Sequence, residues 1–196
     1  MSDQRLRPGA TDALVVVDLQ VDFLPGGALA VPEADRVVPV MNCYIDCFHK
    51  AGLPIFASRD WHPANHCSFV DQGGPWPVHC VADSPGAQFA TALRLPESVV
   101  IVSKATLPDR EAYSALDGTE LIEQLRQRQI RRLFIGGVAT DYCVLHTVND
   151  ARQAGFEVVL LRDAIRAVDA EAGERAYQQM LANGAVPATC EQLCPA

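Results

Sequence analysis

The sequence predicts an α/β fold, in which a parallel sheet of about six strands carries helices on both faces. Short apolar runs rich in Val, Ile and Leu recur along the chain, and such runs are typical of strands buried on both faces. Segments with apolar residues at helical spacing separate these runs, which is the pattern of βαβ units. Because no linker or repeat interrupts the alternation, we expect residues 1–196 to form a single domain.

The strands are predicted from these apolar runs. The first, Ala13 to Asp18, is a continuous apolar run that ends in a carboxylate. The last is short and follows an Asn-Gly pair, which is a common helix stop. The predicted strands are residues 13–18, 53–58, 98–104, 131–137, 156–163 and 184–189.

The helices are predicted from periodicity between the strands. Leu121, Ile122 and Leu125 lie at helical spacing, which indicates an amphipathic helix. The longest segment without a period, Arg59 to about Gln88, is rich in Gly, Pro, His and Cys, and long loops of this kind are usually functional. The predicted helices are residues 33–52, 119–130, 140–154 and 169–184.

Composition excludes several classes of protein. The formal net charge of −8 argues against a nucleic-acid-binding surface, which needs a basic patch. No apolar run approaches the length of a membrane span. The N-terminal segment MSDQRLRPGATD lacks the apolar core of a signal peptide. We therefore expect a cytoplasmic protein without a nucleic-acid or membrane partner.

The seven cysteines are an odd number. In a reducing compartment, free thiols, a metal site or catalysis explain them better than a disulfide framework. Cys43 and Cys47 are four residues apart on a predicted helix, where we expect them to pack. Cys190 and Cys194 are expected to be free, or to pair with each other in an oxidised sample.

Polar residues stand where four of the predicted strands end. Asp18 ends the first strand, Asp60 and His62 follow the second, Lys104 ends the third, and Cys143 follows the fourth. The carboxyl ends of parallel strands share one edge of the sheet, and ligands bind at that edge in open α/β folds. A lone charged residue after a strand is usually only solvated, but an acid, a lysine, a cysteine and a histidine cluster converging there predict an active site.

Cys143 has two interpretations. It is either a small buried thiol or a nucleophile at the start of a helix. Thr140 or Asp141 can cap that helix, and the free N–H groups and positive dipole of its first turn would lower the thiol pKa. Asp18 can serve as its base if burial raises the carboxyl pKa. Lys104, on a strand that looks central, would hold the pair in place.

A histidine cluster in the long loop indicates a metal site. Asp60 and His62 alternate across Trp61 and so project the same way from extended backbone, and His79 returns after a Gly/Pro-rich stretch. These N and O donors fit zinc, iron or manganese and leave positions open for water or substrate. His66 would bind the metal through water or only cap the loop. A zinc site that includes a flanking cysteine is a weaker alternative: Cys67 and Cys80.

Five stretches together resemble the nicotinamidases (pyrazinamidases) of the isochorismatase-like cysteine hydrolase family. They are VVVDLQVDFLPGGAL, SRDWHPANHCSF, GGPWPVHCV, SKATLPDREAYSAL and GGVATDYCVLHTVNDARQAGF. They span nearly the whole chain in the order found in that family. The resemblance implies the isochorismatase-like hydrolase fold.

The resemblance also implies roles for particular residues. The catalytic triad maps to Asp18, Lys104 and Cys143. The ligands of one divalent metal ion, zinc before iron or manganese, map to Asp60, His62 and His79, with His66 nearby. Phe23 and Trp76 match aromatic residues that sandwich a pyridine ring, and Gln20 and Tyr113 match further pocket positions. The Val138–Ala139 bond matches a cis peptide, and the N–H groups of Ala139 and Cys143 are implied to form the oxyanion hole.

The combination of two residue sets narrows the implied reaction. Isochorismatases lack the nucleophilic cysteine and the metal ligands, and N-carbamoylsarcosine-type amidases lack the metal ligands. The resemblance therefore implies hydrolysis of nicotinamide to nicotinic acid and ammonia through a thioester, in NAD salvage, with pyrazinamide as a second substrate. It is compatible with a homo-oligomer. Two alternatives remain: a metallohydrolase that attacks with metal-bound water, and a metal-binding protein without enzymatic activity.

Overall fold

The computed structural model describes residues 6–193, which form one six-stranded sheet with helices on both faces. All neighbouring strands are parallel, and their order is β3-β2-β1-β4-β5-β6. The predicted fold class is confirmed. The strands are β1 Asp12–Val17, β2 Ile55–Asp60, β3 Val100–Lys104, β4 Arg132–Val138, β5 Glu157–Arg166 and β6 Val186–Ala188.

The helices follow the predicted periodicity with shorter bounds. A 3-10 turn, Ala34–Arg36, precedes the first α-helix, and a π-helical turn, Thr140–Val144, precedes the third. The last short helix was not predicted from the sequence. The α-helices are α1 Val37–Lys50, α2 Leu121–Gln127, α3 Leu145–Gln153, α4 Ala170–Ala182 and α5 Cys190–Leu193, and the further 3-10 turns are Val21–Phe23, Val70–Gln72 and Pro85–Ala87.

Two apolar layers hold the helices against the sheet. On β1, Leu14 and Val16 face the layer that contains α1, whereas Val15 and Val17 face the layer that contains α2, α3 and α4. This alternation is the period of two expected of a strand. Because both faces are covered, β1 is apolar at every position after Asp12, which is why its sequence is a continuous valine-rich run.

The strand order corrects one expectation. Lys104 was expected to end a central strand, but β3 lies at the edge of the sheet. Lys104 is nevertheless only 1% exposed. The order of strands in a sheet is set by long-range pairing, so the apolar character of a strand does not by itself distinguish a centre from an edge.

Gly137 in β4 is required by a close approach to β1. A Cβ atom at Gly137 would lie 2.0 Å from the Val17 carbonyl oxygen, and the φ angle of Gly137 is +132°. Gly136 and Gly137 are both still inside β4, so the glycine pair does not form a turn out of the strand. It lets two central strands pack closely just before the polar edge of the sheet.

The cysteines differ from expectation in one respect. Cys43 is exposed and Cys47 is disulfide-bonded, so the prediction that both merely pack on α1 is wrong. Cys67, Cys80 and Cys190 are free thiols. The expectation for Cys194 falls outside the described residues. Over residues 6–193, no helix has the length and apolar character needed to cross a membrane.

Replacing Gly137 with Ala is expected to lower the free energy of unfolding by at least about 3 kcal/mol, since the new methyl group collides with the Val17 carbonyl. Gly155→Ala is the matched control, because Gly155 also has a positive φ, +91°, but no atom lies within 4 Å of the added Cβ. Gly155→Ala should lower the free energy of unfolding by only about 1–2 kcal/mol. Urea denaturation of both variants measures the difference, and equal losses would contradict the close-approach explanation.

Candidate active site

The polar residues predicted at the carboxyl edge of the sheet come together in the structure. Asp18 follows β1, Asp60 ends β2, Lys104 ends β3, and Cys143 lies in the π-helical turn after β4. β1 and β4 are neighbours although β2 and β3 lie between them in sequence. The site therefore occupies the topological switch point, where the chain leaves one half of the sheet for the other.

Lys104 is the centre of this group. Its Nζ lies 3.0 Å from Asp18 Oδ2 and 2.5 Å from Asp60 Oδ1. It also donates to the Ala112 carbonyl at 3.2 Å and lies 3.5 Å from Cys143 Sγ. One buried ammonium group therefore faces two buried carboxyl groups and a thiol, and it neutralises part of their charge.

The pKa values follow from burial and from these neighbours. Burial alone would lower the pKa of Lys104, but Asp18 and Asp60 hold it well above its usual value. Burial raises the pKa of Asp18 above its usual value, and Lys104 only partly opposes that rise. For Asp60, burial is outweighed by Lys104 and His62, so the pKa is lowered. Asp18 is thus the better proton acceptor of the two carboxylates.

Cys143 rests as a thiol rather than a thiolate. Burial raises its pKa well above the usual value, and Asp18 and Asp60 add to that rise against the opposing effect of Lys104. The expectation that the helix start would lower this pKa is wrong, because burial of the thiol, together with the two neighbouring carboxyl groups, raises it. Ligand atoms of Asp18, Asp60 and Cys143 all lie within 4.8 Å of one another, which places the Asp18 carboxyl group near the Cys143 thiol.

The turn that carries Cys143 is built differently from the expected capped helix. The Ala139 carbonyl accepts hydrogen bonds from Tyr142 and Val144, the residues on either side of Cys143. The Asp141 carboxylate accepts from the backbone N–H groups of Val168 and Asp169 instead of capping its own helix. Neither Thr140 nor Asp141 makes a capping bond here. The expected cap is wrong because Asp141 ties this turn to the start of α4.

The peptide bond between Val138 and Ala139 is cis. Ala139, which follows this bond, and Cys143 both line the cavity that is described below.

Asp60, His62 and His79 form a group that fits a metal ion. Each offers a ligand atom, and these atoms lie within 4.8 Å of one another. The Nδ1 atoms face backbone carbonyls, at 3.2 Å from Ala105 for His62 and 2.8 Å from Pro77 for His79. A carbonyl only accepts, so Nδ1 carries the proton and Nε2 presents its lone pair.

The Nε2 atom of His62 supports this fit. It is buried and has no hydrogen-bond partner among the residues that the structure describes, and buried polar atoms without a partner are rare unless a ligand is missing. Burial lowers the pKa of His62 to about 4. The imidazole is therefore neutral near pH 7, which is the form that binds metals.

Two roles were expected for His66, metal binding through water and capping of the loop, and its contacts are those of a loop cap. Its ring stacks on His62 with the centroids 4.2 Å apart. Its Nδ1 lies 2.7 Å from Ser68 Oγ, and its Nε2 lies 3.1 Å from the Arg110 carbonyl. Both ring nitrogens are engaged by the protein, so His66 supports His62 and offers the metal position no free lone pair.

A cavity of about 440 Å³, part of it open to solvent, joins the metal group to Cys143. Phe23, Trp76 and Tyr113 line it, as the resemblance implies. The Trp76 Nε1–H donates to the Tyr113 hydroxyl at 3.0 Å, which joins two loops across the cavity. The lining residues that sequence reasoning missed are Leu29, Val31, Glu111, Tyr142 and Val168.

Gln20 does not line the cavity and lies behind the residues that do. Its Nε2 donates to the carbonyls of Asp60 at 2.8 Å and Ala87 at 2.9 Å, and its Oε1 accepts from the Asp60 N–H at 2.8 Å. The whole amide is thus used to fix the backbone of Asp60. Ser58, also missed, donates to Asp18 Oδ1 at 2.6 Å. No local pattern in the sequence reveals either contact, because both join residues 40 positions apart.

The chain is similar to known proteins in sequence and in structure. The profile of the Isochorismatase domain matches residues 12–192. The Escherichia coli protein named nicotinamidase is 40% identical, over 88% of this chain and 92% of that protein. The structure of Pyrococcus horikoshii pyrazinamidase in complex with zinc has a TM-score of 0.89 and 52% identity, over 91% of this chain and 99% of that one. The structure of PnC1 from L. infantum in complex with nicotinate has a TM-score of 0.88 and 38% identity, over 95% of this chain and 96% of that one.

Replacing Lys104 with Met is expected to lower the free energy of unfolding of the metal-free protein by about 3–5 kcal/mol, because Asp18 and Asp60 would be left as buried charges without their partner. Lys50→Met, at the exposed end of α1, is the control and should change it by less than about 0.5 kcal/mol. Urea denaturation with a chelator present measures both. Adding Asp18→Asn should recover part of the loss, and equal stability of the two lysine variants would contradict this role.

Proposed function

Because the chain belongs to the isochorismatase family, we propose that it is a nicotinamidase, which hydrolyses nicotinamide to nicotinic acid and ammonia. One observation carries the proposal: the cavity lined by Asp60, His62 and His79 is also lined by Cys143. Lys104 contacts both Cys143 and Asp18, so an Asp–Lys–Cys group lies at the same cavity. An amidase needs the Asp–Lys–Cys group, and recognition of a ring nitrogen suits the Asp–His–His group. The named activity of the E. coli relative and the nicotinate in the L. infantum structure support this substrate class.

The cavity is suited to an aromatic carboxamide. We propose that Phe23 and Trp76 bind the two faces of the pyridine ring and that Tyr113, through its hydrogen bond to Trp76, holds that arrangement. A divalent metal ion held by Asp60, His62 and His79, with zinc as first choice after the P. horikoshii structure, would fix the ring nitrogen. Positioning of this kind can supply several kcal/mol of the barrier, roughly 7–11 at best.

The proposed chemistry depends on which groups of the site give and accept protons. Asp18, whose pKa burial raises, accepts the proton of Cys143, and the thiolate formed is stabilised by Lys104 at 3.5 Å. The sulfur attacks the carboxamide carbon, and the N–H groups of Ala139 and Cys143 are assigned to the oxyanion. Asp18 then gives its proton to the leaving nitrogen, and ammonia departs. Water activated by Asp18 hydrolyses the thioester, which releases nicotinic acid and restores the thiol.

The proposal extends to pyrazinamide, which has a ring nitrogen in the same position. It also extends to NAD salvage in the cytoplasm, because nicotinic acid is a precursor from which the pyridine nucleotide is rebuilt. The name nicotinamidase/pyrazinamidase of a Mycobacterium tuberculosis relative, 33% identical over 86% of this chain and 93% of that protein, supports the first extension.

Cys143→Ala is expected to lower kcat for ammonia release from nicotinamide by at least about 1,000-fold, because it removes the nucleophile. Nicotinamide binding, measured by calorimetry, should change little. Cys67→Ala is the control, since Cys67 is a free thiol that does not line the cavity, and it should retain activity. If Cys143→Ala stayed active, metal-bound water would be the nucleophile; if the wild-type protein released no ammonia, the proposed function would be wrong.

The metal assignment has its own test. His79→Ala is expected to weaken zinc binding by at least about 100-fold, since a direct ligand is lost, whereas His66→Ala should weaken it by less than about 10-fold. Competition with a chromophoric chelator measures both affinities. A loss for His66→Ala as large as that for His79→Ala would make His66 a ligand and contradict its loop-capping role.

A further inference from the structure

Glu111 is a carboxylate on the cavity wall that the proposed mechanism does not use. It is half-buried, and within residues 6–193 it forms no ion pair. Asp60, the other acidic residue of the wall, is partnered by Lys104. Glu111 is therefore the one acidic side chain of the described lining whose charge no basic side chain balances.

The backbone holds Glu111 at this position. Glu111 and Tyr113 both line the cavity, and Ala112 between them is buried and does not line it. The Ala112 carbonyl accepts from Lys104 Nζ at 3.2 Å, and the Ala112 N–H donates to Glu111 Oε1 at 2.9 Å. The first hydrogen bond fixes the backbone of residues 111–113 relative to Lys104. The second fixes the Glu111 carboxylate relative to that backbone.

A fixed charge on the wall matters because the proposed reaction changes the charge of the bound molecule. Resting on the proposed function, a neutral carboxamide enters the cavity, ammonia leaves first, and hydrolysis of the thioester then leaves a carboxylate anion there. Like charges repel, and a half-buried pair is screened less than an exposed pair. The formal net charge of −8 adds a background field of the same sign.

We propose that Glu111 makes the cavity select by charge. It leaves the entry of neutral aromatic carboxamides unaffected, weakens the binding of aromatic carboxylates and so promotes release of the anionic product. Glu111 is in this sense a specificity residue, and it takes part in no bond-making step. The same repulsion disfavours other anionic ring compounds that would otherwise fit between Phe23 and Trp76.

Glu111→Gln tests this with little change of shape, because the amide oxygen can still accept from the Ala112 N–H. The control is Asp109→Asn, which removes one negative charge from an exposed position of the same loop that does not line the cavity. Nicotinate binding to the zinc-loaded proteins is measured by calorimetry, which needs no turnover. Glu111→Gln should bind nicotinate roughly 5-fold more tightly than wild type, and Asp109→Asn should bind it as wild type does.

Two further measurements separate charge from shape. The KM for nicotinamide should change by less than about 2-fold in Glu111→Gln, and the gain in nicotinate affinity should shrink as salt is raised. Unchanged nicotinate affinity in Glu111→Gln, or an equal gain in Asp109→Asn, would overturn the inference while ammonia release from nicotinamide still supported the proposed function. Tighter binding of both nicotinate and nicotinamide would also overturn it, because a change of shape would then explain the effect.

Discussion

The buried ammonium group of Lys104 is the interaction on which the rest of the site depends. Burying a charge is costly unless it is paired, and Lys104 is paired with Asp18 on one side and Asp60 on the other. The lysine thereby joins two halves of the site. Asp18 belongs with Cys143 and its proton, whereas Asp60 belongs with the histidines. Without the shared partner, each buried carboxylate would destabilise the folded protein.

The two carboxyl groups that share Lys104 differ in their pKa values. Lys104 and His62 lower the pKa of Asp60, which keeps it ionised as a metal ligand should be. Burial prevails at Asp18 and raises its pKa, which suits a group that accepts and returns a proton. Two chemically identical side chains thus receive different roles from their surroundings. In the proposed mechanism, the raised pKa of Cys143 means that the thiolate forms only as Asp18 takes the proton.

Backbone contacts prepare the site around this centre. Carbonyls of the two loops fix the tautomers of His62 and His79, and Gln20 fixes the chain at Asp60. Gly137 lets β4 approach β1 closely, just before the turn that carries Cys143. These contacts are made by main chain and by buried amides. They hold the functional side chains without occupying the cavity itself.

The amino-acid sequence was sufficient to predict the six strands, four of the five α-helices and the polar residues that converge at the carboxyl edge of the sheet. Valine-rich runs and helical spacing are local patterns, and the rule that parallel strands end at one edge brings Asp18, Lys104 and Cys143 together without knowledge of strand order. Three features could not be predicted before folding is known: β3 is an edge strand, the Asp141 carboxylate binds the start of α4, and burial raises the pKa of Cys143 so that it rests as a thiol. Strand order, hydrogen-bond partners and pKa values depend on residues far apart in the chain, and these become neighbours only after folding.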